Sequence, residues 1–377
     1  MPQSRRPPLP KGKQSSKSDK TKRNTSSSQN SKTNPRKGTD ENTTKSITTN
    51  PLVISQFKTI LNTFQHTFSH LFTPELPQII QSIKQSLYLR DYVTAFDSPE
   101  KLQAYVVRWS VARALAYFEM ISGHWWSEDV TQTFTTGRQR LRVTCVGGGA
   151  GAEIVGITAA YSFLNSSSKS RYPIEDEEDI DRGLDLTFLD FATWTPITDS
   201  LYSTITDPTK ESNVFLDKSK FSAKCYQQDV LTPLSDTTIT SMASADIVTI
   251  LFTAGELYSQ SPTATTKFFM SLHALTKPGA LLIVVDSAGG FEDLDVLSKK
   301  NDQEGNSSSS EAGNIGGYKL GFLLDKTLTN REQWQTIASQ DAKWWRVPQE
   351  LKDTGGYPLE LENMRCLIRV YRRNDDP

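Results

Sequence analysis

A β-like apolar run stops abruptly at a glycine cluster in Leu141-Arg-Val-Thr-Cys-Val146-Gly147-Gly148-Gly149-Ala150-Gly151-Ala152-Glu153-Ile154, and a helix-like run to Tyr161 follows at once. A strand, a tight turn and a helix in that order form the opening unit of an α/β fold with a parallel sheet. Glycines suit such a turn because no Cβ keeps the backbone from approaching a ligand. The unit starts near residue 145, so something else precedes it.

What precedes it opens with a biased tail. Residues 1–50 hold 12 Lys/Arg against 3 Asp/Glu, while the whole chain carries a formal net charge of only −1. The near-neutral total therefore hides a basic tail and an acidic remainder. The tail is rich in Ser, Thr, Asn, Lys and Pro and nearly free of large apolar side chains. Burial cannot offset its ordering entropy, so it reads as disordered. Its pairs Arg5-Arg6, Lys22-Arg23 and Arg36-Lys37 suit contact with a polyanion, or targeting to the nucleus or nucleolus.

Cys145, Cys225 and Cys366 stand far apart, and His66, His70, His124 and His273 do not gather around them. That spacing implies a reducing compartment, no disulfide framework and no metal site. No apolar run reaches the roughly 18 residues of a membrane-spanning helix, and the polar, basic start is not a secretory signal.

Residues 51–130 read as a helical segment. Phe57, Ile60, Leu61, Phe64, Phe68 and Leu71 recur at helical spacing, as do Ile79, Ile80, Ile83 and Leu87. Ser98-Pro99 starts a third helix, with Ser98 as N-cap and Pro99 at the first helical position. From 131 to 377 the pattern becomes a doubly wound α/β sheet with strands over 141–146, 184–189, 221–226, 247–252, 280–285 and 364–371. Two surface insertions interrupt it, near 164–183 with the acidic run 175–179, and near 299–316.

The glycine motif alone fits two ligands. Gly147, Gly149 and Gly151 match the turn that binds S-adenosylmethionine (SAM), and Gly147, Gly149 and Ala152 match the dinucleotide fingerprint. The strand ends favour the first. Asp190 closes the second strand, where a carboxylate accepts from both ribose hydroxyls of an adenosine. Asp229 and the apolar Val230 follow the third, placed to bond an adenine amino group and flank its ring. Phe252-Thr-Ala-Gly255-Glu256-Leu-Tyr258 follows the fourth, where an acceptor would approach.

This series resembles the class I SAM-dependent methyltransferases. That family carries an acid two positions before its first glycine. Cys145 stands there instead, and Glu153 is the nearby residue that could compensate.

The acceptor is narrowed by exclusion. Base-amino methylases carry an Asn/Asp-Pro-Pro-aromatic run that this chain lacks. Ring-carbon methylation of pyrimidines needs a cysteine nucleophile, and none follows the fourth or fifth strand. A ring nitrogen, an oxygen or a protein nitrogen remains.

The basic tail, Tyr105-Val-Val-Arg108-Trp109-Ser-Val-Ala-Arg113, the glycine motif and Asp-Ile-Val-Thr-Ile-Leu-Phe-Thr-Ala-Gly-Glu-Leu together resemble the fungal 25S rRNA (uridine-N3) methyltransferases. The resemblance implies methyl transfer from SAM to N3 of a uridine. It further implies large-subunit rRNA or a pre-ribosomal particle as partner, a nucleolar, nuclear or cytoplasmic setting, and no metal or membrane. Glu256 is the candidate base, and Arg108, Trp109, Arg113, His124, Trp125 and Trp126 are candidates for phosphate contact and base stacking. A methyltransferase for proteins or small molecules, or a silent SAM-fold assembly factor, would use the same cofactor residues.

Overall fold

The computed structural model describes residues 50–375, apart from 124, 136–138, 170–181, 211–212, 214–215, 290–318, 331 and 354–355. The basic tail up to residue 49, the acidic run 175–179, the insertion near 299–316 and His124 lie outside the described residues.

Helix α1 (Pro51–Thr67) begins at Asn50, whose Oδ1 accepts from the Leu52 N–H at 3.0 Å, and it buries Val53, Phe57, Ile60, Leu61 and Phe64. Helices α2 (Leu76–Tyr88) and α3 (Tyr92–Ala95) follow. Helix α4 (Pro99–Tyr105) opens as the sequence implies: the Lys101 N–H donates to Ser98 Oγ at 3.3 Å, and Pro99 takes the first helical position.

The sequence reads as one helix from there to residue 118. Instead, a π-helical segment, Val106–Ser110, separates α4 from α5 (Val111–Ser122). Such turns leave the apolar periodicity nearly intact, so the pattern does not reveal them, and they recur at functional sites. The Tyr357 hydroxyl donates to the Val107 carbonyl inside the π segment at 2.9 Å. Helix α6 (Glu128–Thr133) completes the lead-in.

Seven strands form one sheet: β1 (Leu141–Val146), β2 (Leu184–Asp190), β3 (Phe221–Gln227), β4 (Ile247–Leu251), β5 (Leu281–Ser287), β6 (Trp334–Trp345) and β7 (Met364–Arg373). Their order is β3-β2-β1-β4-β5-β7-β6. The first five run parallel, and β7 enters antiparallel between β5 and β6.

The connecting helices are α7 (Ala152–Lys169), α8 (Thr195–Ile205), α9 (Asp236–Ser244), α10 (Ala254–Gln260), α11 (Pro262–Leu275), α12 (Leu320–Thr329) and α13 (Gln349–Asp353). Helices α1, α2, α5, α7 and α8 share one apolar core with one face of the sheet, and α9 to α12 share another with the opposite face. β4, apolar except for Thr249, is central and buried on both faces, as parallel strands require. The strand order reverses at β1, and this switch point puts the binding crevice at the carboxyl ends of β1, β2 and β4.

Three expected boundaries move. Helix α7 runs to Lys169 rather than ending near 163, with Asn165 Nδ2 donating to the Phe134 and Tyr161 carbonyls. The fourth strand ends at Leu251, because Phe252 turns into the left-handed region at φ +57°. The Trp-rich late segment is the 12-residue edge strand β6, with two irregularities in its register. Those irregularities erase the alternation that would have marked it.

Candidate functional site

The glycine turn joins β1 to α7 at the switch point. Gly147 adopts φ +77°, and a Cβ there would lie 2.2 Å from Thr253 Oγ1. A Cβ at Gly149 would lie 2.4 Å from Trp194 Cδ1. The space left by both glycines is therefore filled by protein side chains. Gly147 and Gly149 thereby bring the turn against Thr253 and Trp194. Gly147→Ala combines a left-handed backbone with that overlap. It should lower stability by about 1–3 kcal/mol, read as an earlier urea midpoint; an unchanged midpoint would contradict this reading of the turn.

Asp190 at the end of β2 is 7% exposed. Its Oδ2 accepts from the Gly149 N–H at 3.2 Å and its Oδ1 from the Ala192 N–H at 3.3 Å. Burial nevertheless outweighs these bonds and raises its carboxyl to about 6. The Trp194 indole and the Phe191 N–H also bond to this carboxyl and favour its charged form. Asp229 follows β3, its Oδ1 accepting from the Leu231 N–H at 2.9 Å, and Val230 beside it is buried. The Gln228 N–H donates to the Asp190 carbonyl at 2.7 Å, tying the tips of β2 and β3 together.

Glu153 stands in the first turn of α7 and is 3% exposed. A Cβ on Gly148 would meet Cys145 Cβ at 2.8 Å and Glu153 Cδ at 3.1 Å. The Glu153 carboxyl is thus packed beneath the turn, beside the cysteine that replaces the family's acid. Its Oε1 is buried with no hydrogen-bond partner, and burial raises its carboxyl to about 8. An orphaned buried acceptor of this kind calls for a donor from outside the chain.

A second group gathers past β4 and β5. Glu256 is half-buried on α10, and burial raises its carboxyl to about 8, with Asp286 and Asp190 adding repulsion and Arg113 opposing. Asp286 at the end of β5 accepts from the Gly255 and Ser287 N–H groups at 2.8 and 2.7 Å. Arg113 reaches in from α5. Its Nη1 donates to the Tyr105 hydroxyl at 2.8 Å, its guanidinium lies 4.7 Å from the centre of the Phe252 ring, and its charge acts on Glu153, Glu256 and Asp286. A cavity of about 240 Å³ opens here, lined among others by Trp109, Arg113, Phe252, Ser287 and Asn363.

The structure sorts the remaining candidates. Arg108 is buried, pairing with Glu362 and donating to the Glu360 carbonyl, and Trp125 and Trp126 are core residues. Trp109 alone of the tryptophans lines the cavity. Burial pushes the Cys145 thiol well up and that of Cys225 to about 11, so neither is poised as a nucleophile. Among the described residues no group of three His, Cys, Asp or Glu could hold a metal, and no helix is long and apolar enough to cross a membrane.

Sequence reasoning missed Asp286, Trp194 and Asn363 as site residues, and it read Arg113 as a phosphate contact rather than the cation among these carboxylates. The position of Asp286 at a strand end was the one available signal.

A family model described as SAM-dependent methyltransferase matches residues 63–372, and the chain belongs to that family. SAM is accordingly its methyl donor. The acceptors that would hold it are the carboxyls of Asp190, Asp229 and Glu153, the last with a buried oxygen that has no hydrogen-bond partner.

The chain is 28% identical over 312 residues to the 25S rRNA (uridine(2843)-N(3))-methyltransferase of Saccharomyces cerevisiae, covering 79% of this chain and 78% of that protein. Two solved structures are more distant. A SAM-dependent methyltransferase from Methanosarcina mazei is 12% identical, with a TM-score of 0.34 over 62% of this chain and 93% of that one. A 16S rRNA (adenine(1408)-N(1))-methyltransferase from Catenulisporales acidiphilia is 14% identical, with a TM-score of 0.32 over 65% and 92%.

Proposed function

We propose that this enzyme methylates N3 of a uridine in 25S large-subunit rRNA, as free RNA or within a pre-ribosomal particle. The observation that carries the reading is the cavity of about 240 Å³ lined by Arg113 and Phe252, with the Glu256 carboxyl within electrostatic reach of Arg113. It has room for a single planar ring. The named activity of the yeast relative supports uridine N3 as the acceptor.

SAM supplies an electrophilic methyl group on a sulfonium. The chain's own residues do the rest. Uridine N3 carries a proton on its pairing edge, so the base must leave any duplex to enter the cavity. Trp109 offers it an aromatic wall. Glu256 would take the N3 proton, freeing the N3 electron pair for the methyl group that SAM would supply. A base titrating near the working pH is suited to that transfer. The basic tail adds sequence-independent attraction to RNA, and the setting that suits this substrate is the nucleolus or the cytoplasm.

The test is transfer of labelled methyl from SAM to large-subunit rRNA, followed by digestion to nucleosides. Label in N3-methyluridine is expected. Label in protein, or in another nucleoside, would overturn the reading.

The pH dependence has two opposite signs. Glu153 and Glu256 titrate near 8 when folded, above their ordinary value of 4.5. A raised carboxyl stabilises the fold when protonated, so that stability is complete below about 4.5 and is lost as pH rises through about 8. SAM brings positive charge to these groups and binds better once they ionise. The melting temperature of the free protein should therefore fall between pH 6 and 8.5, while the increase produced by SAM grows. A SAM-induced increase that shrinks with pH would contradict this.

A further inference from the structure

The cavity that the proposed function assigns to the acceptor ring is walled by a residue that this reading does not use. Asn363 lies just before β7 and lines the cavity. Its Oδ1 accepts from the Val347 N–H at 2.9 Å. That bond fixes which way the amide is turned, because the oxygen is committed to the backbone and the NH₂ group is the end left over. Nδ2 has no hydrogen-bond partner among the described residues. Arg113 lines the same cavity and spends one nitrogen on Tyr105, keeping the rest of its fork of donors.

The cavity therefore presents two sets of donors. Uracil has the complementary edge: an N–H flanked by two carbonyl acceptors. Cytosine has an amino donor in place of one carbonyl and no proton on N3. The purines do not present a donor between two carbonyl acceptors either. Removing the N3 proton also spreads negative charge onto both carbonyl oxygens, which strengthens any bond they accept.

We propose that Asn363 Nδ2 and the Arg113 guanidinium donate to the two carbonyls of the acceptor, making Asn363 a specificity residue that selects an imide ring and stabilises its N3 anion. This rests on the reading of the cavity as a uridine site.

Asn363→Asp tests it. The variant keeps an oxygen for the Val347 N–H, removes the donor and adds a negative charge facing the acceptor. The purified full chain is assayed on large-subunit rRNA, with N3-methyluridine as the product measured. Loss of a donor to a developing charge should lower kcat at least about 100-fold, with the KM for RNA and the affinity for SAM within about twofold.

A variant that binds SAM normally and keeps the wild-type kcat overturns the assignment. Should the variant not fold, the wild-type enzyme is compared on RNA carrying uridine, 2-thiouridine or 4-thiouridine at the target. Sulfur is the weaker acceptor, so at least one thio substrate should react about tenfold more slowly or worse, despite its more acidic N3 proton. Equal or faster reaction of both would overturn the assignment. A wild-type enzyme that forms no N3-methyluridine defeats the proposed function itself, and this assignment with it.

Discussion

Asp190→Ala is expected to weaken SAM binding at least about 100-fold. The argument is additive: two ribose hydroxyls donate to one carboxylate, and hydrogen bonds to a charged group contribute about 1.5–3 kcal/mol each. Even the lower figure, taken twice, is worth about 100-fold in affinity. The alanine also releases the Gly149 and Ala192 N–H groups and loosens the glycine turn from the tip of β2. Stability should change far less than affinity, because a carboxyl held at about 6 by burial opposes folding when ionised. Calorimetry at pH 8 measures the effect. A variant that folds and binds SAM like the wild type would remove Asp190 from the site.

The second large effect lies away from the chemistry. Trp345 is 1% exposed at the end of β6, and its Nε1 donates to Glu119 Oε2 on α5 at 2.9 Å. It pins the antiparallel arm of the sheet to the helix that carries Arg113. Trp345→Ala should lower stability by about 3–5 kcal/mol through the cavity it leaves. Trp345→Phe keeps most of the packing but takes from Glu119, whose carboxyl burial already raises, one of its two indole donors, leaving that of Trp125. That variant should lose about 1–3 kcal/mol. Urea unfolding separates the two, and equal losses would mean that the indole bond contributes nothing.

The cofactor half of this site was legible because it is local in sequence. The glycine turn, Asp190, and the pair Asp229 and Val230 each sit at or just past the end of a strand, and mostly apolar runs such as 247–251 mark the strands. The other half is assembled from distant segments. Arg113 comes from a lead-in helix, Asp286 from β5 and Asn363 from the approach to β7, and no spacing rule links them. Arg108 and Arg113 look alike in sequence, yet one is committed to Glu362 and the other sits among carboxylates. The π segment at 106–110 hid for the reason given above, and β6 hid because an edge strand with register breaks loses its alternation. The contacts of the glycine turn were not legible either: Thr253 and Trp194, which fill the room that Gly147 and Gly149 leave, come from other segments.

The most direct test of the central claim is nucleoside mass spectrometry of large-subunit rRNA from cells that carry this chain, lack it, or carry only Asp190→Ala. N3-methyluridine should be present in the first, absent in the second and still absent in the third. An N3-methyluridine level that is the same in all three would contradict the account and direct the search to protein or small-molecule acceptors.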